Sequence, residues 1–427
     1  MTIEIPAGLS TRIRWRLAIP TILFMFLSSL DRVNVSFAAM QMNADLGFSP
    51  TEYGFGASVL FAGFLLGQLP SVMLLQRIGF SRWLGGLALL WGVAATSMSL
   101  IQTQEQFYLL RIIIGLAEGG LAPGIVLYLS QFATERERAT TFALPMLAIP
   151  LSVVLGGPIS GWLLDMTGPG DMPGWRWMFL AEGLPTIAMG IAAFLYFPDK
   201  PKDARWLTEA DRTYLAARAA NQPIEKVAND WSVLFSPVVI LSPLLWFCLL
   251  SGSYGIMFWL PQMVHSMTSL SGFEIGLVTA LPWIGNGLAV YFNSAHSDKT
   301  GERFWHVGLP ALIAGAALPA AMLVGPSAVG LAFLIVAASA LGAAQGAFWS
   351  LPTTVFGPRT FAVGAVGINI FGTAGGAVIP HAIGAVREAT GAFTLPTLML
   401  GAVLLFACVP VLIIRAIQRG GSAQVAA

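Results

Sequence analysis

Twelve stretches of about 20 mostly apolar residues, each long enough to cross a bilayer as a helix, recur along this chain. Their approximate limits are 15–40, 52–75, 81–101, 107–130, 139–165, 175–197, 233–263, 273–295, 304–324, 328–352, 360–382 and 393–415. Inside a bilayer the backbone must satisfy its own polar groups, so stretches of this length predict helices and an all-α integral membrane protein. Composition agrees. Only 10% of the 427 residues are charged, against about 25% in soluble domains. That excludes a cytosolic globular enzyme, a nucleic-acid binder and a disordered chain. A formal charge of +1 gives no basis for a polyanionic partner.

The N-terminus imitates a secretory signal, with Arg12, Arg14 and Arg16 ahead of an apolar run from Leu17 to Leu30. Asp31-Arg32 falls where a cleavage site would stand, and apolar residues resume to Met40, so a retained first helix is expected. Cys248 and Cys408 lie in apolar runs without partners, and His265, His296, His306 and His381 are scattered. Neither a disulfide nor a metal site is indicated, and no cofactor is expected.

Six spans precede and six follow a polar stretch, 198–232, which divides the chain into halves 1–197 and 233–427. The stretch from Pro198 to Trp231 holds 12 of the 43 charged residues. A short amphipathic helix is predicted there over 208–220, with Thr208 as N-cap and Asp211 three residues on. Trp206, Leu207 and Leu215 are expected against the membrane surface. Two six-helix, pseudo-repeated halves predict a transport site between them. With both termini inside, cytoplasmic segments carry 18 of the 22 Lys and Arg residues. Two lie outside, Arg176 and Arg387, and two within helices, Arg32 and Arg111. That bias predicts cytoplasmic termini and an even number of spans.

Asp31, Arg32, Arg111 and Glu118 fall inside spans, where each ionisable group costs at least about 2.5–3.5 kcal/mol and is normally paired and functional. Counting rise per residue places Asp31 and Glu118 at a common depth. Arg111, Gly115 and Glu118 share one face of helix 4, yet Arg111 and Glu118 are about 10 Å apart along it and need partners elsewhere. An anion that draws Arg32 from a carboxylate would couple anion binding to proton binding at that carboxylate.

At these residues the chain resembles a family. Asp31-Arg32-Val33-Asn34, Arg111 to Glu118, Gly174 to Phe179 with Glu182 to Pro185, the linker Phe197 to Leu207, His296 to Arg303, Phe348 to Pro352 and Asn369 to Gly376 are similar to the anion:cation symporters of the major facilitator superfamily. The resemblance covers nearly the whole chain and implies the major facilitator fold. It also implies proton-driven uptake of an organic carboxylate, such as a sugar acid, a tartrate-like acid or an aromatic acid, across a bacterial inner membrane. By matching position, Asp31 and Glu118 are the expected protonatable pair, Arg111 their partner, and Arg32 with Asn369 the substrate ligands.

Two departures stand out. The first gating loop has Gln76 before Arg77 where the family has an acid, whereas the second keeps Asp298-Lys299, with Arg303 following. Phe64 replaces a tyrosine of the sugar-acid carriers, which favours a less hydroxylated, aromatic carboxylate. Phe64, Tyr254, Trp259, Trp283 and Trp349 are candidate cavity aromatics, with Tyr254 and Trp349 favoured by their places on helices 7 and 10. Gln68, Gln262, Asn286, Asn293, Gln345 and Asn369 could bind substrate but are about twice as readily read as bonds between helices. The rival reading is a drug:proton antiporter, from Gly156-Gly-Pro-Ile-Ser-Gly161, although Arg32 would repel a cation. An enzyme lacks its motifs. The expected protein is a monomeric carrier, not an enzyme, whose partners are a small organic anion, protons and lipid.

Overall fold

The computed structural model describes residues 5–133, 138–221, 237–353 and 358–425. Twelve helical segments among them are long and apolar enough to cross a membrane. They are α1 Leu9–Leu46, α2 Pro50–Ile78, α3 Phe80–Leu100, α4 Gln104–Ser130, α5 Leu144–Leu164, α6 Gly174–Tyr196, α7 Ile240–Met267, α8 Gly272–Thr300, α9 Trp305–Val324, α10 Ala328–Pro352, α11 Gly364–Thr390 and α12 Thr394–Ile417. No β-strand occurs among the described residues, only an isolated bridge between Gly168 and Met172. Side chains such as Leu66, Leu69 and Leu195 stand outward on these helices, Leu195 at 89% exposure. A surface this apolar is suited to lipid.

By internal contacts the chain falls into two units. The first is Met1–Asn34, Ala62–Gly156 and Met166–Glu225; the second is Val35–Phe61, Gly157–Asp165 and Lys226–Ala427. The second unit thus takes in short pieces of α1, α2 and α5 as well as α7 to α12.

In the first unit, glycines set how closely α2 and α4 approach. A Cβ on Gly67 would lie 2.2 Å from the Leu116 carbonyl oxygen, and one on Gly119 would lie 2.2 Å from that of Phe64. Only hydrogen fits, so the two backbones touch. α4 is interrupted at the same level: its helix Gln104–Glu118 ends, Gly119 and Gly120 form a turn, and the helix Leu121–Ser130 follows. Glu118 therefore occupies a helix end, held against α2.

The base of this unit is aromatic. Phe80 stacks on Tyr128 at 3.5 Å, and the Tyr128 hydroxyl donates to the Pro198 carbonyl at 2.8 Å. The linker helix, Glu209–Asn221, starts with the predicted cap: the Thr208 amide donates to Asp211 Oδ2, and the Asp211 amide donates to Thr208 Oγ1. Arg12 adds an ion pair to Asp211 at 2.8 Å. Burial acts to raise the Asp211 carboxyl, but the hydrogen bonds from Thr208 and Arg12 outweigh it and hold it below the ordinary carboxylate range. One expectation is corrected here. Leu207 and Leu215 are buried in the core of this unit and Trp206 packs on Phe132, so none of them is the membrane-facing stripe expected from the sequence. The linker helix is amphipathic because it docks on protein.

In the second unit the end of α5 meets the start of α8, again through glycine. A Cβ on Gly161 would fall 2.2 Å from the Gly272 carbonyl oxygen, and one on Gly276 would fall 2.3 Å from that of Gly157. Asp165 then accepts from the Gly272 and Phe273 amides at 2.8 and 2.7 Å, and Ser271 with Glu274 completes a capping box. Gly157 and Gly161, part of the stretch behind the antiporter reading, are thus accounted for by packing.

Candidate functional site

The four charges singled out in the sequence come together in the first unit. Arg32 Nε donates to Glu118 Oε2 at 2.9 Å, which places α1 and α4 charges at one level. Arg32 also donates to Ser28 Oγ at 3.0 Å, and its guanidinium lies 5.3 Å from the ring centre of Phe64. Arg111 donates from Nη1 to the Asp31 backbone carbonyl at 3.3 Å. The expected pairing of Arg111 with the protonatable carboxylates therefore runs partly through the main chain of α1.

A third carboxylate, not singled out as a buried charge in the sequence, belongs to the same group. Asn34 Nδ2 donates to Asp31 Oδ1 at 3.3 Å and to Glu182 Oε2 at 2.9 Å, so one amide bridges two carboxyl groups. Glu182 is 4% exposed inside α6. The insertion-cost argument that identified Asp31 and Glu118 applies equally to Glu182 and could have found it. Asn34 is uncharged and carries no such signal in the sequence.

With every group ionised, the set of Asp31, Glu118, Glu182, Arg32 and Arg111 carries one net negative charge. Asp31 Oδ2 and Glu118 Oε1 are buried with no hydrogen-bond partner among the described residues. Arg32 alone is part-exposed, its side chain at 19% while that of Glu118 is at 0%. The guanidinium is thus the one member of the cluster with appreciable accessible surface, and the carboxylates beside it each keep a bare oxygen.

The sequence profile of the Major Facilitator Superfamily matches residues 21–380. The chain belongs to the Major Facilitator Superfamily. It is a multi-pass membrane transporter and not an enzyme. Over 419 residues it is 36% identical to a protein of Agrobacterium vitis that bears a tartrate-transporter name, covering 97% of this chain and 93% of that one. It is 34% identical over 392 residues to NicT of Pseudomonas putida, a metabolite transport protein by name, at 90% and 89% coverage. It is also 30% identical over 403 residues to a quinolone resistance transporter of Acinetobacter baumannii, at 93% of each chain. Among solved structures, a bacterial homologue of the human lysosomal transporter Spinster superposes with a TM-score of 0.82 at 17% identity, covering 95% of this chain and 97% of that one.

Of the expected substrate-binding residues of this superfamily member, Arg32 and Phe64 lie together in the first unit, whereas Tyr254, Trp349 and Asn369 belong to the second. There Tyr254 packs on Phe61 at 4.4 Å, Trp349 sits edge-on to Trp246 at 5.3 Å, and Asn369 is exposed. Trp259 is 0% exposed and bonded to the Pro380 carbonyl, which makes it core and corrects the cavity reading. Asn286, Asn293 and Gln345 bond to backbone carbonyls of neighbouring helices, the bland reading of the two. Arg77, in the last turn of α2, is exposed, and Asp199 lines the cavity beside it while accepting from the Ser81 amide at 2.8 Å. A carboxylate from the segment after α6 thus caps α3 close to Gln76. In the second loop Asp298 pairs with Arg303 at 2.5 Å, and Lys299 is exposed.

Proposed function

We propose that this protein is a proton-coupled symporter of a small organic carboxylate, of the anion:cation symporter kind, working by alternating access of its two six-helix halves, 1–197 and 233–427. The observation that carries the reading is the Arg32–Glu118 pair at 2.9 Å, with Arg32 part-exposed over Phe64 and a bare buried oxygen on both Glu118 and Asp31. An arriving carboxylate competes with Glu118 for the guanidinium. Glu118, deprived of its cation in an apolar setting, then holds a proton, which offsets the negative charge that the anion brings. Binding of anion and proton are coupled through a shared arginine.

Asp31, bridged through Asn34 to Glu182 and contacted by Arg111, is the second protonatable group. Phe64 and, from the second unit, Tyr254, Trp349 and Asn369 complete the proposed ligand set. Arg77 on one side, and Asp298, Lys299 and Arg303 on the other, serve the two cytoplasmic gating loops. The relatives named for tartrate and metabolite transport support an organic acid as cargo. The loop charges support cytoplasmic termini, and the bacterial source of these relatives supports an inner membrane.

The relative named for quinolone resistance favours a second reading, drug export against protons. A cation at mid-span disfavours cationic cargo, and proteoliposome transport separates the two. Uptake of tartrate, gluconate or benzoate stimulated by an inward proton gradient, and abolished in Arg32→Ala, is the expected result. In Glu118→Gln the gradient is expected to lose its effect while exchange of labelled for unlabelled acid persists. Expulsion of lipophilic cations with no movement of any acid overturns the symport reading.

A further inference from the structure

Only two basic side chains stand outside in the loop-charge reading, Arg176 and Arg387, and the structure treats them differently. Arg176 is consumed by the fold: it donates to the Ser99 and Ile101 carbonyls at 2.7 and 3.0 Å and covers Trp175 at 4.3 Å. Arg387, near the end of α11, has no ion pair among the described residues. Its one hydrogen-bond acceptor there is Gln262 Oε1, at 2.7 Å from Nη1. Its guanidinium rests on Phe393 at 4.2 Å and on Trp259 at 5.4 Å. A part-buried guanidinium held by two rings and an amide, with no carboxylate partner among the described residues, calls for an anion.

A cavity of about 300 Å³ adjoins it, lined by Asn43, Phe48, Gln262, His265, Ser266 and Arg387 among others, and no Asp or Glu lines it. All of these residues belong to the second unit and to the ends of α1, α7 and α11 and the segment leading into α2. Gln262 is 6% exposed, and its Nε2 is buried without a hydrogen-bond partner among the described residues. Asn43 Oδ1 is likewise buried and unpartnered. Buried polar atoms left bare cost about 1–3 kcal/mol each. Here a donor and an acceptor are left bare beside one cation.

We infer that this cavity is a second carboxylate-binding subsite, on the outward ends of the spans, for a small hydroxy acid. In it Arg387 donates to the carboxylate, and the amides of Gln262 and Asn43, which line the cavity, turn to bring the bare Nε2 to the carboxylate and the bare Oδ1 to a hydroxyl. The volume is at the lower end of ligand cavities, about 300–1,000 Å³, and suits an acid of a few carbons. The subsite rests on the reading of the protein as a carboxylate transporter, and it adds a preference for hydroxylated acids that Phe64 does not supply.

Equilibrium dialysis of radiolabelled tartrate against the full-length chain in detergent tests it, with succinate as the same carbon chain lacking hydroxyls. The wild type is expected to bind two equivalents of tartrate, Arg387→Gln one, and Arg32→Gln one. Arg387→Lys, which keeps the charge, is expected to recover the second equivalent at about tenfold weaker affinity, a loss of about 1.4 kcal/mol. Succinate is expected to bind the Arg387-dependent site at least tenfold more weakly than tartrate. Unchanged stoichiometry in both Arg387 variants overturns the subsite, and if Arg32→Gln still abolishes uptake, the transport reading stands without it. Loss of one equivalent in Arg387→Gln with uptake untouched in Arg32→Gln supports the subsite and overturns the role given to Arg32. Displacement of the Arg387-dependent tartrate by chloride at equal concentration overturns the carboxylate assignment, as does failure of the wild type to bind either acid.

Discussion

The two units handle buried polarity in opposite ways. Every membrane-buried charge below 9% exposure among the described residues, namely Asp31, Arg111, Glu118 and Glu182, lies in the first. The second buries hydroxyls and an amide at the same level of exposure, and its half-buried amides join helices: Asn293 donates to the His306 and Ala343 carbonyls at 2.8 Å, and Gln345 donates to Ser253 Oγ at 2.7 Å. Neutral amides hold helices together at small cost and respond to nothing at ordinary pH. Carboxylates and guanidiniums are costly to bury and respond to both protons and anions. Under the proposed symport, energy coupling falls to the first unit, and the second supplies scaffold and ligand surface.

The largest expected break in that contrast is Arg32→Gln. Truncating one partner of a buried hydrogen-bonded charge pair costs about 2–5 kcal/mol, so uptake of labelled acid into proteoliposomes should fall at least about 30-fold. Uptake within threefold of wild type would remove the arginine from the site. Next comes Asn34→Leu, which unbridges Asp31 and Glu182. Two buried carboxyl groups each lose a donor, at about 1–3 kcal/mol apiece. A lower thermal melting point in detergent and a displaced pH profile of uptake should appear together, and a lower melting point alone would make Asn34 merely structural.

Asn293→Leu should cost less, about 0.6–1.7 kcal/mol for an interhelical bond. It should lower the melting point by a few degrees while the pH profile of uptake keeps its shape; a displaced profile would erase the distinction between the units. Smallest is Asp211→Asn at the linker helix, where Arg12 is part-exposed and the pair contributes roughly 0.5 kcal/mol. Because the folded Asp211 carboxyl is held below its ordinary value, the stabilisation is present above about pH 4 and lost as pH falls through the folded value. The protection factors of the linker-helix amides, exchange corrected for its intrinsic pH dependence, should therefore fall about twofold on acidification in the wild type and show no such step in the variant.

Much of the site was legible because a charge in an apolar run has so few explanations. Asp31, Arg32, Arg111 and Glu118 stand out against their neighbours, and their common depth followed from helical rise. Glu182 has the same signature but sits beside Gly183 and Pro185 in a stretch that reads first as a motif. Trp206, Leu207 and Leu215 misled for a physical reason: an amphipathic stripe is the same whether it meets lipid or protein, and only packing against Phe132 and the core of the first unit tells them apart.

By itself the sequence determined that this chain crosses a membrane about twelve times, how its loops are charged, and which ionisable groups need partners. Those properties depend on local composition and on distances along a helix. Tertiary structure alone decided that Arg32 takes Glu118, that Arg111 reaches the Asp31 backbone, that one amide of Asn34 serves two carboxylates, and that Arg387 has a cavity and no counter-ion among the described residues. Pairing across 86 or 148 positions of chain depends on which helix faces touch. In this protein those faces are set by glycines whose role becomes visible only when the opposing backbone is in place.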